Sequence, residues 1–326
     1  MARTPWLILL ALLPATALAS PWTLGKARGV VGVSSDVGLA DREYLISGEF
    51  QKFPLRGRFF GANLRAGVRY GITNRLEIGG RLTLAHVSYE ADEIFLGEPV
   101  TPAVGDLTDE GQLVDSLVSL DRRATGLGDV DLHVRFKITP LDLWQFSAAP
   151  ELQLKIPTGY AQPQGTFADD GTNADDVTLG DGQFDATLRM HAGVIPHPRF
   201  FARGDIGYRL RLFGPGQQVV GGLRLGGKIG PFLIPYAGSD FEHTFTEGKV
   251  VGVSLTTTTP DKPARDFRAS DLVATEYRLD RTALRPTAGL IFSFEKYELE
   301  LAYAVTAWGR NVAQVHSIKL GAALKW

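Results

Sequence analysis

Polar and apolar residues alternate along many segments of the chain, as they do in a β-strand whose two faces meet different surroundings. From Asp129 to Lys137 every second residue is charged or a histidine, and the residues between them are apolar. The segments 183–192 and 200–212 repeat this pattern. Such strands suit a barrel with lipid outside and polar groups inside, and they also suit a soluble sandwich.

The spacing of the alternating segments favours the barrel. Most have a length that crosses a bilayer when tilted, for which roughly 9 to 11 residues suffice. Tight turns alternate with long connections, an asymmetry typical of bacterial outer-membrane barrels, whose short turns lie on the periplasmic side. The long connections are 37–58, 91–125, 157–180 and 247–280, and two connections on the same side, 214–216 and 309–311, are short. We therefore predict an all-β fold, a closed antiparallel transmembrane β-barrel of about twelve strands, within residues 20–326. The predicted strands are 26–36, 59–71, 76–90, 126–139, 144–156, 181–195, 199–213, 217–229, 231–246, 281–294, 297–308 and 312–326.

The chain ends inside an alternating segment, and its last residue is aromatic. Ile318, Leu320 and Leu324 share one face of this segment, and Trp326 closes it on the same face. The ending resembles the C-terminal signal that the barrel-assembly machinery reads in outer-membrane proteins. We expect that machinery and outer-membrane lipid as partners. With both termini of the chain on the periplasmic side, the number of strands must be even.

The first residues predict a secretory signal peptide. Arg3 precedes an apolar run from Trp6 to Leu13, and small residues follow up to Ala19. The run is shorter than the roughly 20 residues of a transmembrane helix, and Pro14 interrupts it. We expect cleavage after Ala19, so that residues 1–19 are a signal peptide and the protein is exported to the cell outer membrane. The sequence has no cysteine, which excludes a lipid-anchored lipoprotein.

Aromatic residues cluster where the predicted tight turns meet the strands. Rings of this kind prefer the lipid headgroup level, so the cluster is a candidate girdle, although core aromatics would give the same pattern. Its members are Tyr70, Trp144, Phe146, Phe200, Phe232, Phe294 and Tyr297. The formal net charge of −2 gives no reason to expect nucleic acid as a partner.

Three short motifs lie at the ends of predicted strands. They are Gly126-Leu127-Gly128-Asp129 opening one strand, Lys155-Ile156-Pro157-Thr158-Gly159 ending the next, and Gly180-Asp181-Gly182 opening the one after. With the turn Tyr70-Gly71-Ile72-Thr73-Asn74-Arg75-Leu76-Glu77, they resemble a family of outer-membrane β-barrel transporters linked to the meta pathway of phenol degradation. The resemblance covers the chain from about residue 60 to its end, and it implies passage of aromatic or hydrophobic compounds.

If the polar faces point inward, the barrel interior collects many charged side chains. Cations outnumber anions there by about two to one, which would favour anions in an open water path. The alternative is that the charges pair across a narrow, filled interior. The candidate lumen-lining residues are Arg65, Arg69, Arg81, Asp129, Asp131, His133, Arg135, Lys155, Asp185, Arg189, His191, Arg203, Asp205, Arg209 and Arg224.

Other chemistry finds little support in the residues. His86 and Ser88 share a face near the outer end of the third strand, but no third group nearby would orient the histidine as a base. The acidic runs at 91–121 and 169–176 do not have the EF-hand spacing, and a solvated loop explains them. We expect no catalytic residues, metal or cofactor. The expected activity is passive passage of a small-molecule solute, with a non-conducting structural barrel and a barrel hydrolase as alternatives.

Overall fold

The structure is a computed structural model that describes residues 22–95, 117–118, 121–140, 145–160, 178–212, 214–257, 259–267 and 269–326. The predicted signal peptide 1–19, Trp144, the acidic run 169–176 and most of the acidic residues between 96 and 120 lie outside these ranges.

Twelve long antiparallel strands form one closed sheet. They are β1 (Gly29–Ala40), β2 (Arg58–Gly71), β3 (Leu76–Glu90), β4 (Arg122–Phe136), β5 (Phe146–Ile156), β6 (Asp185–His197), β7 (Phe200–Arg211), β8 (Gln218–Gly227), β9 (Leu233–Thr244), β10 (Thr282–Ser293), β11 (Tyr297–Val305) and β12 (His316–Lys325). Each strand pairs with its neighbours in sequence, and β1 pairs with β12. The predicted twelve-stranded up-and-down barrel is thus confirmed, and its closure leaves no exposed sheet edge.

The seam between the first and last strands is closed by backbone hydrogen bonds between Gly29, where β1 begins, and Trp326, which follows β12. The backbone N–H of Gly29 donates to the carbonyl of Trp326, and that of Trp326 donates to the carbonyl of Gly29, both over 3.1 Å. The Trp326 indole covers Gly29 so closely that a Cβ added there would lie 2.1 Å from ring atom Cζ2. A side chain at this point of the seam would therefore force the Trp326 ring or the strand to shift.

The largest differences in where strands begin are four residues, in β4, β6 and β12. β4 begins at Arg122 rather than 126, because it stays paired with β3 along its outer part. β6 begins at Asp185 rather than 181, because residues 181–183 form a turn in which Gly182 has φ +66°. The Gln183 N–H donates to Asp181 Oδ1 over 3.3 Å within this turn. Residues 122–125 do not alternate between polar and apolar, whereas the alternation continues through 181–184, so the pattern could locate neither strand start.

The outward side chains of the strands are apolar and exposed. Leu64, Leu188, Ile206, Leu225 and Ile318 are typical, and Leu188 is 63% exposed. Apolar groups on this scale avoid water, so the band they form is the surface that faces lipid.

Exposed aromatic residues lie at the end of the barrel that carries the short turns. Phe232 and Phe294 stack with their ring centroids 5.8 Å apart. Six of the seven predicted girdle residues fall within the described ranges, and all are exposed, as is the Trp326 ring: Tyr70, Phe146, Phe200, Phe232, Phe294 and Tyr297.

The long connections add small elements at the other end of the barrel. Arg42–Tyr44 pairs with Phe50–Lys52 and with Val312–Ala313, which explains why β12 begins at His316 rather than 312. The remaining strands are Ile94–Phe95 with Leu117–Val118, Val250–Thr257 with Leu272–Arg278, and Trp308–Arg310 on β10; the 3-10 turns are Pro54–Arg56, Ala264–Asp266 and Ala269–Asp271. None of the described helices is long and apolar enough to cross a membrane.

Candidate functional site

A cavity of about 480 Å³ lies inside the barrel, between strands whose inward side chains are polar. Thirteen of the fifteen candidate residues line it: Arg65, Arg81, Asp129, Asp131, His133, Arg135, Lys155, Asp185, Arg189, His191, Asp205, Arg209 and Arg224. The other two, Arg69 and Arg203, share the inward faces of β2 and β7 but lie nearer the short turns. Asp181, Arg281 and Asp240 also line the cavity, and the sequence pattern did not identify them. Asp181 and Arg281 lie just outside strands, and Asp240 lies on the inward face of β9.

The charges nearest the short turns form a buried network around Glu77. The carboxylate of Glu77 accepts hydrogen bonds from Arg69 Nε at 2.7 Å, Arg69 Nη2 at 2.6 Å and the Leu24 backbone N–H at 2.9 Å. Arg135 Nη1 lies 3.4 Å from the same carboxylate and also binds Glu151. The side chains of Glu77, Arg69 and Arg135 are at most 2% exposed. The network therefore anchors the chain before β1 inside the barrel.

Two histidines flank this network. His191 Nε2 lies 3.4 Å from Glu151, and His133 Nε2 lies 3.9 Å from Glu77. Among the described residues neither Nε2 atom has a hydrogen-bond partner, and both atoms are buried although their residues line the cavity. These ring edges therefore face the Glu77 network rather than open space.

A second network crosses the middle of the cavity around Lys155. Its ammonium group lies 2.8 Å from Asp185 and 3.8 Å from Asp129, and it also binds Asp181. Arg211 reaches Asp181 and lies 3.7 Å from Asp185. Burial alone would raise the pKa of Asp181, but the charges of Lys155 and Arg211 hold it below its usual range. These ties hold residues 178–183, here termed the inner segment, against the barrel wall.

Three of the four motifs behind the family resemblance, 126–129, 155–159 and 180–182, meet at one irregularity of the wall. Gly128 and Asp129 together oppose Thr83 of β3, which makes a β-bulge. The motif 126–129 was predicted to open a strand, but it lies in the middle of β4, so that prediction is wrong. The bulge turns both residues inward, and this places Asp129 at the cavity.

The bulge is tied to the two segments that follow. The Thr158 hydroxyl lies 2.8 Å from the carbonyls of both Leu127 and Gly128, which share its single proton. The Tyr160 hydroxyl binds Asp129 and accepts the Gly182 N–H at 3.2 Å. Burial and the bond to Asp129 raise the pKa of Tyr160 above its usual range, so the phenol keeps its proton. The motifs thus build one structural unit that shapes the cavity.

The wall formed by β7 to β10 carries a surplus of arginine. Glu242 is surrounded by Arg285 Nη2 at 2.9 Å, Arg281 Nε at 3.0 Å and Arg209 Nη1 at 3.5 Å. Arg224 has a partner of its own, Asp240, at 3.0 Å. One carboxylate among three guanidinium groups leaves positive charge facing the cavity, which Arg209 and Arg281 line.

The predicted two-to-one excess of cations over the whole interior is too large. Most interior cations are paired, as Arg81 with Asp131 at 2.6 Å and Arg189 with Asp205 at 2.6 Å show. The prediction omitted four carboxylates that take part in interior ion pairs: Asp36, Asp181, Asp240 and Glu242. The cationic surplus is therefore local to β7–β10.

An apolar cluster also faces inward, near the short turns. Tyr236, Ile291 and Ala302 are buried, and Phe201 and Ile234 pack against them. The Tyr236 hydroxyl binds Glu300. No sequence signal identified this cluster, because its members occupy positions that the alternation assigns to polar groups.

His86 and Ser88 lie two and four residues after the exposed Leu84, so they share the outward face of β3 with it. His86 Nδ1 lies 2.5 Å from the Thr125 hydroxyl, and its ring packs 5.9 Å from Phe60. Its hydrogen bond thus goes to a threonine rather than to Ser88. Within the described ranges, no group of three or more His, Asp or Glu side chains is arranged to hold a metal ion.

The residues of the C-terminal signal face outward. Ile318 and Leu320 are 57% and 42% exposed, Leu324 lies on the same side, and the Trp326 ring reaches the surface at the short-turn end. Their position is one that a partner outside the barrel can reach.

Comparison with known proteins supports the fold. No family model matches the sequence, and no curated protein matches it. Among solved structures, an outer membrane channel from Pseudomonas putida F1 is 14% identical with a TM-score of 0.60, over 93% of this chain and 97% of that one. The KdgM porin (6% identical, TM-score 0.44, 90% and 98% covered) and the CymD monoaromatic hydrocarbon channel (11%, 0.41, 93% and 88%) are more distant matches. The chain therefore has the fold of an outer-membrane β-barrel.

Proposed function

We propose that this protein is an outer-membrane channel through which a small solute passes passively. The observation that carries the proposal is a closed barrel with an apolar exterior and a charged interior that encloses a cavity of about 480 Å³. That volume lies within the range of small-molecule sites, about 300 to 1,000 Å³.

The arginine surplus on β7–β10 favours anions. A cluster of positive charge in a low-dielectric lumen raises the local concentration of anions and excludes cations. Arg209, Arg281 and Arg285 share the single carboxylate of Glu242, so this wall stays positive. We infer that the path through the barrel prefers anions, without requiring that every transported solute be an anion.

The remaining parts of the proposal follow from the sequence. The resemblance of the motifs at 126–129, 155–159 and 180–182 points to aromatic or hydrophobic cargo. The predicted signal peptide 1–19 would export the chain. The last strand, with Ile318, Leu320, Leu324 and Trp326 outward, would present the insertion signal to the barrel-assembly machinery.

Conductance and solute uptake test the channel directly. We expect stepwise conductance when the purified protein is added to a planar bilayer, and entry of small solutes into liposomes that contain it. A protein that inserts as a folded barrel but gives neither current nor uptake would contradict the channel.

A non-conducting structural barrel is the second candidate. The buried Glu77 network, which holds the chain before β1, and the apolar cluster around Tyr236 both fill space near the short turns. If they close the path, liposomes will exclude all solutes. This candidate predicts that the exclusion persists when residues 22–25 are deleted, whereas a channel should then conduct more.

A further inference from the structure

Two arginines face each other in the interior without enough negative charge between them. Arg203 of β7 and Arg224 of β8 are direct partners across the strand pair, and both lie on inward faces. Like charges placed directly opposite each other in a sheet are destabilising. Arg224 binds Asp240 at 3.0 Å, but the Asp240 side chain is 50% exposed, so solvent weakens that pair.

Arg203 has no ion pair within the part of the chain that the structure describes. The neighbouring carboxylates serve other cations: Asp205 binds Arg189 at 2.6 Å, and Glu300 binds Lys319 at 2.9 Å. The ring of Phe201 lies 6.0 Å from the Arg203 guanidinium. A cation–π contact is worth about 0.5 to 2 kcal/mol, which is less than an unpaired interior charge costs. The pair therefore carries one uncompensated positive charge.

An apolar surface adjoins the two arginines on the same inner face. Phe201 lies two residues before Arg203, and Gly226 lies two residues after Arg224. Gly226 pairs with Tyr236, and a Cβ at Gly226 would lie 2.4 Å from the Phe201 ring. The glycine thus lets the aromatic ring lie against the wall, beside the cluster around Tyr236.

The cavity reaches the pair through Arg224. Arg224, Asp205 and Asp240 line it, whereas Arg203 and Phe201 lie nearer the short turns, so a solute in the cavity meets Arg224 before it reaches Arg203 and Phe201. A molecule with a negative group and an apolar body would satisfy both parts, because its anion would bind the guanidinium groups while its body covers the ring.

We propose that Arg203, Arg224 and Phe201 form a binding site for small organic carboxylates with an aromatic or apolar body. The site rests on the proposed channel function, for which it names the solute class. Both guanidinium groups donate to the carboxylate, and Phe201 with the Tyr236 cluster packs against the body. The site lies on the path through the barrel. It selects solutes that have both a carboxylate and an aromatic or apolar body.

Equilibrium binding tests the site without requiring conduction. Benzoate is titrated into the full-length protein, folded in detergent, in a calorimeter, with acetate and benzyl alcohol as probes that carry only one of the two features. We expect saturable binding of benzoate, and binding at least about tenfold weaker for the two other probes. The substitution Arg203→Gln should weaken benzoate binding about tenfold to a hundredfold, because a charged hydrogen bond is worth about 1.5 to 3 kcal/mol.

Two further variants separate the site from general charge effects. Arg123→Gln removes an exposed arginine that lies outside the cavity, where it pairs with Glu90 at 3.5 Å, and should leave benzoate binding unchanged. Phe201→Leu keeps both arginines and should lower benzoate affinity toward that of acetate, which serves as the test if Arg203→Gln does not fold. Absence of saturable benzoate binding, equal losses in Arg123→Gln and Arg203→Gln, or acetate binding as tight as benzoate would each overturn the site. Binding without conductance would contradict the channel and support the site, whereas conductance without binding would do the reverse.

Discussion

Single residues in this barrel act mainly by fixing the charges that its interior contains. Glu77 shows the principle, since one buried carboxylate compensates Arg69, contacts Arg135 and binds the backbone of Leu24. The alternation in the sequence placed Glu77 and Arg69 on inward faces. It could not show that they bind each other, because a pattern along one strand does not reveal the register of the next.

Replacing Glu77 by Gln should destabilise the barrel strongly. The change leaves the buried Arg69 guanidinium without its carboxylate and removes one of the two that Arg135 contacts, at a cost of about 3 to 5 kcal/mol. Urea unfolding in detergent, followed by tryptophan fluorescence, measures the loss. Glu90→Gln is the control, because the Glu90 side chain is 60% exposed in its pair with Arg123, and such pairs contribute about 0 to 1 kcal/mol. Equal unfolding midpoints for the two variants would rule out a stabilising role for the Glu77 network.

At the scale of strands and connections, the regular elements were predictable from the sequence and the irregular ones were not. Twelve strands were predictable because each has an apolar and a polar face. The bulge at Gly128 and Asp129 was not, because the residues before it, 122–125, do not alternate between polar and apolar, so the shift of the pattern by one residue is not visible in the sequence. The turn at 181–183 was not predicted, because it depends on contacts with other strands. The inward apolar cluster was not predicted either, because its apolar residues occupy positions where polar residues were expected.

A side chain at position 29 should destabilise the seam between β1 and β12. In Gly29→Ala the new Cβ meets the Trp326 ring at 2.1 Å, so the ring or the strand must shift, and overpacking of this kind costs about 1 to 3 kcal/mol. The temperature at which the folded barrel unfolds on a denaturing gel should fall. Gly80→Ala is the matched control, since its Cβ would lie 3.2 Å from the flexible end of Leu132. A seam that unfolds at the temperature of the control would show that the contact is not needed.

The inner segment should stay in place over a wide pH range. Asp181 has a pKa below its usual range, so its stabilising contribution is complete above the unfolded value of about 3.9 and is lost only as the pH falls through the lower folded value. The raised pKa of Tyr160 keeps the phenol bound at alkaline pH. Single-channel conductance should therefore be constant between about pH 5 and pH 9. In Tyr160→Phe the inner segment loses the hydrogen bond from the Gly182 N–H to the phenol, through which it is tied to Asp129, and conductance should increase. A step in the wild-type conductance near neutral pH would contradict this view of the segment.

The whole molecule combines an apolar exterior with an interior whose charges are balanced except along one wall. The closed sheet follows from the sequence, as does the inward placement of the charged residues. The local surplus around Glu242 does not, because it depends on Arg281, which lies outside any strand, and on how three arginines converge on one carboxylate. Anion preference is thus a property of the assembled barrel rather than of its composition.

The reversal potential across a planar bilayer with a KCl gradient tests this account most directly. We predict a value with the sign set by chloride, moving toward zero in the double variant Arg281→Gln and Arg285→Gln, which removes two of the three arginines around Glu242. Arg56→Gln, which neutralises a cation in the outer loops whose side chain is 82% exposed, should leave the potential unchanged. A wild-type potential with the sign of potassium, or one that the double variant does not move, would contradict the account.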